Sequence, residues 1–288
     1  MKKIIFLSII SLSLCLPLFS CKKQSFRKGI KVGVISNYLD TSEVSEIKDA
    51  YDSVISWLKK NRIEYIFRKP NGNTSENRET SIRILNSSGC NYFITLGSEF
   101  GESIDFIKKR FPDNKTIAFD VSYDDVFYSV YEDYNPSKRE EKIKEYKLGE
   151  CIHLVDFKKE ELGFIGGYSL IKEGNSNVGF LANKNTPENN HYGYGFIKGV
   201  EEASKELNKE VNIKYAYMNS NEKNNETIGR LDTWFGQGME SLFVTGRNAY
   251  KNAVHSASKN GVFGKVIIGD TNRSEELDSG YKDNILEI

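Results

Sequence analysis

The chain has 288 residues, room for two lobes of roughly 100–150 residues each. Lys+Arg and Asp+Glu number 40 each, so the formal net charge is zero and no basic field exists to draw in nucleic acid. A hydrophobic content of 39% with 12% aromatics is enough to build a core, which excludes a wholly disordered chain.

The N-terminus reads as a targeting segment. Met1-Lys2-Lys3 is a basic start, and Ile4 to Phe19 is apolar but shorter than the roughly 20 residues a bilayer span needs. It ends in Leu18-Phe19-Ser20-Cys21, which looks like a bacterial lipobox, where the cysteine thiol is acylated and becomes the first mature residue. Residues 1–20 are then a lipoprotein signal peptide, Cys21 is the lipidation site and 21–29 is a tether; an uncleaved signal anchor is the alternative. No second apolar run is long enough to span. The expected place is the cell membrane, lipid-anchored, on its periplasmic or extracellular face. Cys90 and Cys151 remain beside Cys15 and Cys21, with no spacing that indicates a disulfide or a metal site. His153, His191 and His255 are scattered and form no pair at i, i+4, so neither metal nor cofactor is expected.

The body alternates strands and helices. Lys31 to Ser36 reads as a strand, and Val44, Ile47, Tyr51, Val54, Ile55 and Leu58 recur with the period of an amphipathic helix. Ile63 to Phe67 is a strand, the Gly/Asn/Ser loop from Pro70 leads to a helix carrying Ile82 and Leu85, and Tyr92 to Leu96 is a strand. A helix over Ser103 to Arg110 and a strand over Lys115 to Val121 follow. This alternation predicts a first doubly wound lobe over residues 30–122, with parallel strands and right-handed crossovers. Between Asp124 and Lys147 the pattern lapses into aromatics and a mixed-sign charged run, expected as an interlobe connection with an exposed insertion over 123–150. From Cys151 the alternation resumes and predicts a second α/β lobe over 151–288. Two tandem lobes leave a cleft of the kind that closes on ligands by hinge motion.

The stretch from Val178 to Glu202 organises this second lobe. An apolar strand turns through Asn183, Asn185, Thr186 and Pro187 into a helix expected from His191 to Leu207. The loop falls at the strand's carboxyl end, where ligands of open α/β sheets collect. Tyr192 stands in the first turns of that helix, either as a platform for a planar ligand or as an ordinary core aromatic. No nucleophile elbow, P-loop or His/Cys/Ser constellation marks an enzyme.

The lipobox, KVGVISN, NYFITLGSEF…FPDNKTIAFD, FKKEELGFIGGY, VGFLANKNTPENNHYGYGFIKGV and KVIIGD occur in an order that resembles the basic membrane protein family, lipoproteins similar to purine nucleoside receptor A. The resemblance implies a type I periplasmic-binding fold of two doubly wound parallel-sheet lobes. It also implies delivery of a purine nucleoside (guanosine, adenosine or inosine) to an ABC transporter permease, without nucleic acid as a partner. A surface lipoprotein or adhesin that kept the fold with altered ligand binding is the alternative.

By that resemblance the base stacks on Tyr192, Asp120 contacts the base and Asp270 accepts from ribose hydroxyls. Gly97 and Gly246 let backbone approach the ligand. Asp120 and Asp270 also read as plain loop or cap residues. The family's aspartate at the end of the first strand is Asn37 here, and its Ser-Phe-Asn triplet is replaced by Glu43-Val44-Ser45-Glu46-Ile47. The sequence ends at Ile288, where relatives run on to a crossover that supplies a ribose-contacting lysine, so the C-terminal crossover is expected to be incomplete. With these departures the cleft is expected to hold nucleosides weakly, or to hold something else.

Overall fold

The computed structural model describes residues 26–37, 45–220, 223–246, 248–259, 264–269 and 284–286. The expected signal peptide, Cys21, Glu43 and Val44 of the stretch facing the family triplet, and Asp270 lie outside the described residues. Among the described residues no helix is long and apolar enough to cross a membrane.

The first lobe contains β1 (Lys31–Ile35), α1 (Ser45–Lys60), β2 (Glu64–Arg68), α2 (Ser75–Ser87), β3 (Tyr92–Leu96), α3 (Gly101–Arg110) and β4 (Lys115–Phe119). It continues through α4 (Tyr123–Val130), α5 (Arg139–Tyr146) and β5 (Ile152–Val155). The second lobe holds α6 (Lys159–Lys172), β6 (Asn177–Ala182), α7 (Pro187–Leu207), β7 (Asn212–Tyr217), α8 (Asn225–Gly236), β8 (Ser241–Thr245), α9 (Ala249–Lys259), β9 (Lys265–Ile268) and β10 (Ile285–Leu286). Each lobe is a five-stranded sheet, in the orders β2-β1-β3-β4-β5 and β10-β9-β8-β6-β7. Every pairing is parallel. Parallel strands are covered on both faces and so read as apolar runs; the whole of β8, Ser-Leu-Phe-Val-Thr, is buried. Helix starts carry side-chain caps that accept otherwise orphaned backbone N–H groups: Thr74 before α2, Ser122 before α4, Thr186 before α7 and Asn224 before α8.

The structure corrects the reading of residues 123–150. They are not an exposed insertion but two helices packed on the first sheet, with Phe127 fully buried at their centre. Its ring meets those of Tyr123, Tyr131, Tyr134 and Tyr146 at centroid distances of 5.5, 5.6, 5.4 and 5.7 Å. The charges at 138–147 lie on the outer side of a helix whose inner side carries Ile143 and Tyr146. The boundary moves as well. β5 pairs with β4, from Thr116 opposite Ile152 to Phe119 opposite Val155, so the first sheet runs to Val155 and the chain enters the second lobe at α6. The buried apolar clusters respect this division: two draw on residues of the first lobe and two on the second.

Candidate functional site at the facing strand ends

Register fixes which residues share the rim of each sheet. Ile35 pairs with Thr95 and Leu96 with Phe119, so Asn37, Gly97 and Asp120 leave β1, β3 and β4 at nearly one level. In the second sheet Ala182 pairs with Thr245, and Asn183 and Gly246 leave β6 and β8 side by side. Four of the sequence-predicted residues, Asn37, Gly97, Asp120 and Gly246, therefore follow strand carboxyl ends, where side chains and amides converge on a ligand.

Several of these positions are conformationally constrained. Gly97 has φ 120°, and a Cβ there would come 2.5 Å from Glu99 Oε2. Gly246 has φ 81°, and a Cβ would collide with Asn183 Oδ1 at 2.0 Å. Asp120 has φ 62°, a left-handed conformation that an aspartate adopts at a cost of order 1 kcal/mol. Asn37 is buried, with its carbonyl oxygen accepting from Ser36 Oγ at 3.1 Å. Asn189, in the first turn of α7, donates to Asn183 Oδ1 at 2.8 Å and to the Lys184 carbonyl at 2.9 Å, locking the loop after β6.

Tyr192 lies in the second turn of α7, because the helix begins at Pro187 rather than at His191. Its ring is not an open platform. It is 5% exposed and shares a core cluster with Phe180, Phe196 and Phe243, the Phe243 centroid lying 6.4 Å away.

Charged side chains that the sequence did not single out complete the rim. Lys159, the first residue of α6 and only 3% exposed, places Nζ 2.7 Å from Asp120 Oδ1 and 3.5 Å from Asp156 Oδ1. Burial works against its charge, but Asp120, Glu188 and Asp156 outweigh it and hold its pKa above the usual lysine value. Glu188, in the first turn of α7, accepts from Ser98 Oγ at 2.7 Å. Enclosure, and next the charge of Asp120, push the Glu188 carboxyl up to about 8, against the pull of Lys159. Burial likewise raises Asp125 to about 6, although Ser122 donates to it in a capping box. His191 places Nε2 2.8 Å from Asp124 Oδ2 and Nδ1 3.2 Å from Glu160 Oε1. The Asp124 contact leads in raising the imidazole pKa, against burial. Burial opposes the charge of Asp124, but His191, the Tyr134 hydroxyl and Arg139 hold its carboxyl below the ordinary value. No local spacing signals the pairs Lys159–Asp120, Glu188–Ser98 and His191–Asp124, whose partners sit dozens of residues apart on different lobes.

Chemically the described part of the rim offers carboxylate acceptors, amide groups and the buried Lys159 ammonium, a set suited to gripping a polar solute. Among the described residues no grouping of His, Cys, Asp and Glu is arranged to hold a metal ion.

Comparison with known proteins bears on this architecture. No curated protein matches the sequence. Among solved structures, the chain is similar to ABC transporter solute-binding proteins from Aeropyrum pernix K1 (14% identity, TM-score 0.60, covering 83% of this chain and 61% of that one). A second, from R. palustris and in complex with 4-hydroxybenzoate, gives 11% identity and a TM-score of 0.64, covering 88% of this chain and 65% of that one. A third, from Conexibacter woesei DSM 14684, gives 15% identity and a TM-score of 0.55, covering 88% and 73%. The chain thus spans less than two thirds of the A. pernix and R. palustris proteins, and at such identities the likeness is one of fold. The model of the Bmp family, described as PnrA-like ABC transporter substrate-binding proteins, matches residues 40–278. With most of its length matched, the chain belongs to the Bmp family.

Proposed function

We propose that this protein is the lipid-anchored substrate-binding component of an ABC importer, holding a purine nucleoside between its lobes at the outer face of the cell membrane and passing it to a permease. The reading is supported by family membership and carried by one observation. Asn37, Gly97, Asp120 and Gly246 follow strand carboxyl ends on the rims of two sheets that face each other. Asp120 is the carboxylate that accepts from the base, Asp270 serves the ribose, and the positive-φ glycines admit backbone close to the solute. The Cys21 thioether and its acyl chains keep the domain beside the permease.

Calorimetric titration with guanosine, adenosine and inosine tests this reading. Saturable binding by at least one is expected, and Asp120→Asn should weaken it by about 1.5–3 kcal/mol, the worth of a hydrogen bond to a charged group. Absence of heat and of any nucleoside-induced rise in Tm would reject it. A second reading, a surface lipoprotein with altered ligand binding, is favoured by the Lys159 ammonium already seated on Asp120; tight nucleoside binding would count against it.

A further inference from the structure

The two lobes meet through polar groups. No buried apolar cluster among the described residues has members from both, and side-chain contacts join the facing rims. Ser98 reaches Glu188, Asp120 reaches Lys159 and Asp124 reaches His191. On the second-lobe side all three partners occupy the first turns of α6 and α7. A lysine opening a helix works against the helix dipole, so its place at α6 is explained by the carboxylates it meets rather than by the helix.

From these contacts we infer that Ser98, Asp120 and Asp124 with Glu188, Lys159 and His191 form a proton-operated latch that holds the lobes together without a solute and releases them as pH rises. The proton requirement follows from the geometry at His191. Nε2 hydrogen-bonds to Asp124 across the lobes while Nδ1 stands 3.2 Å from Glu160 of its own lobe, and the imidazolium is the form that both carboxylates attract. The groups facing it are Asp124 of α4, Glu160 of α6 and Asp156 in the preceding loop; Tyr134 and Arg139 reach it through Asp124. Glu188 faces Ser98, Asp120, Asp125 and Lys159, two carboxylates against one ammonium, which favours its neutral form when the lobes are shut.

The signs agree. Both groups have closed-state pKa values raised above their ordinary ones, so closure is favoured at low pH and lost as pH rises through the raised values. For His191 the loss begins above its ordinary value of 6.5, and for Glu188 it is complete only beyond about 8. The latch needs no particular solute, so it stands apart from the nucleoside reading.

Small-angle X-ray scattering of the full-length protein in detergent, dialysed free of solute, tests it across pH about 5.5 to about 9, the range in which these groups titrate. The radius of gyration should increase with pH while circular dichroism stays constant. Glu188→Gln, neutral at every pH, should move the opening midpoint up by about one unit or more, and His191→Gln should move it down by a similar amount. Lys159→Met and Ser98→Ala act as further checks and should enlarge the protein at pH about 6, below the imidazole's usual titration. A radius independent of pH in the unaltered protein, or midpoints unchanged in both Glu188→Gln and His191→Gln, would overturn the inference.

Discussion

The Cβ that Gly163 lacks would stand 2.1 Å from the carbonyl oxygen of Tyr192. The relationship recurs along the same helix pair, with Gly195 against the Glu160 carbonyl and Gly199 against that of Phe164, both at 2.1 Å. α6 and α7 therefore touch backbone to backbone, and no side chain can give way. Gly163→Ala and Gly195→Ala are each expected to destabilise the protein by about 3 kcal/mol, the upper end of overpacking costs. Gly229, in α8, has nothing near its missing Cβ, and Gly229→Ala should stabilise by about 0.5–1 kcal/mol. Chemical denaturation of the three variants checks both signs.

Phe127→Ala removes the ring on which four tyrosines converge. A loss of about 3–5 kcal/mol is expected, as for other fully buried aromatics. Were residues 123–150 an exposed insertion, the change would fall within about 0.5 kcal/mol. Urea unfolding distinguishes the two.

The Asp124–His191 pair makes stability depend on pH from both sides. Asp124 has a lowered native pKa, so its contribution is present above 3.8 and is lost as pH falls through the native value. His191 has a raised one, so its contribution is present below 6.5 and fades as pH climbs through the native value. Asp124→Asn should flatten both limbs of the Tm-against-pH curve. Differential scanning calorimetry from pH about 3 to about 9 covers both windows.

Thr186 caps α7 by accepting from the Asn189 amide at 3.3 Å. Thr186→Ala should cost about 1 kcal/mol and loosen the turn that carries Glu188 and His191. Faster amide exchange confined to the start of α7 is the expected signature.

Strands were legible because burial on both faces imposes unbroken apolar runs; the run Tyr92 to Leu96 coincides with β3. Helices were legible from their period, as with Tyr51, Val54, Ile55 and Leu58 of α1. Residues 123–147 misled because two short helices carry aromatics on one side and dense charge on the other, which hides a short period. Four of the rim positions could be named because a residue following a strand end is defined locally. Lys159 and Glu188 could not, since a lysine among Lys158, Glu160 and Glu161 looks solvated until the opposing lobe brings Asp120 to it.

Pairing of β5 with β4 means that every strand of the first sheet lies between residues 31 and 155, and every strand described in the second comes after it. As the polypeptide emerges, its leading half can close its own hydrogen-bond ladder before α6 has appeared. The trailing half then assembles beside a finished neighbour instead of trading strands with it. A lesion in β8 is thereby expected to leave the hydrogen-bond ladder of the earlier half intact.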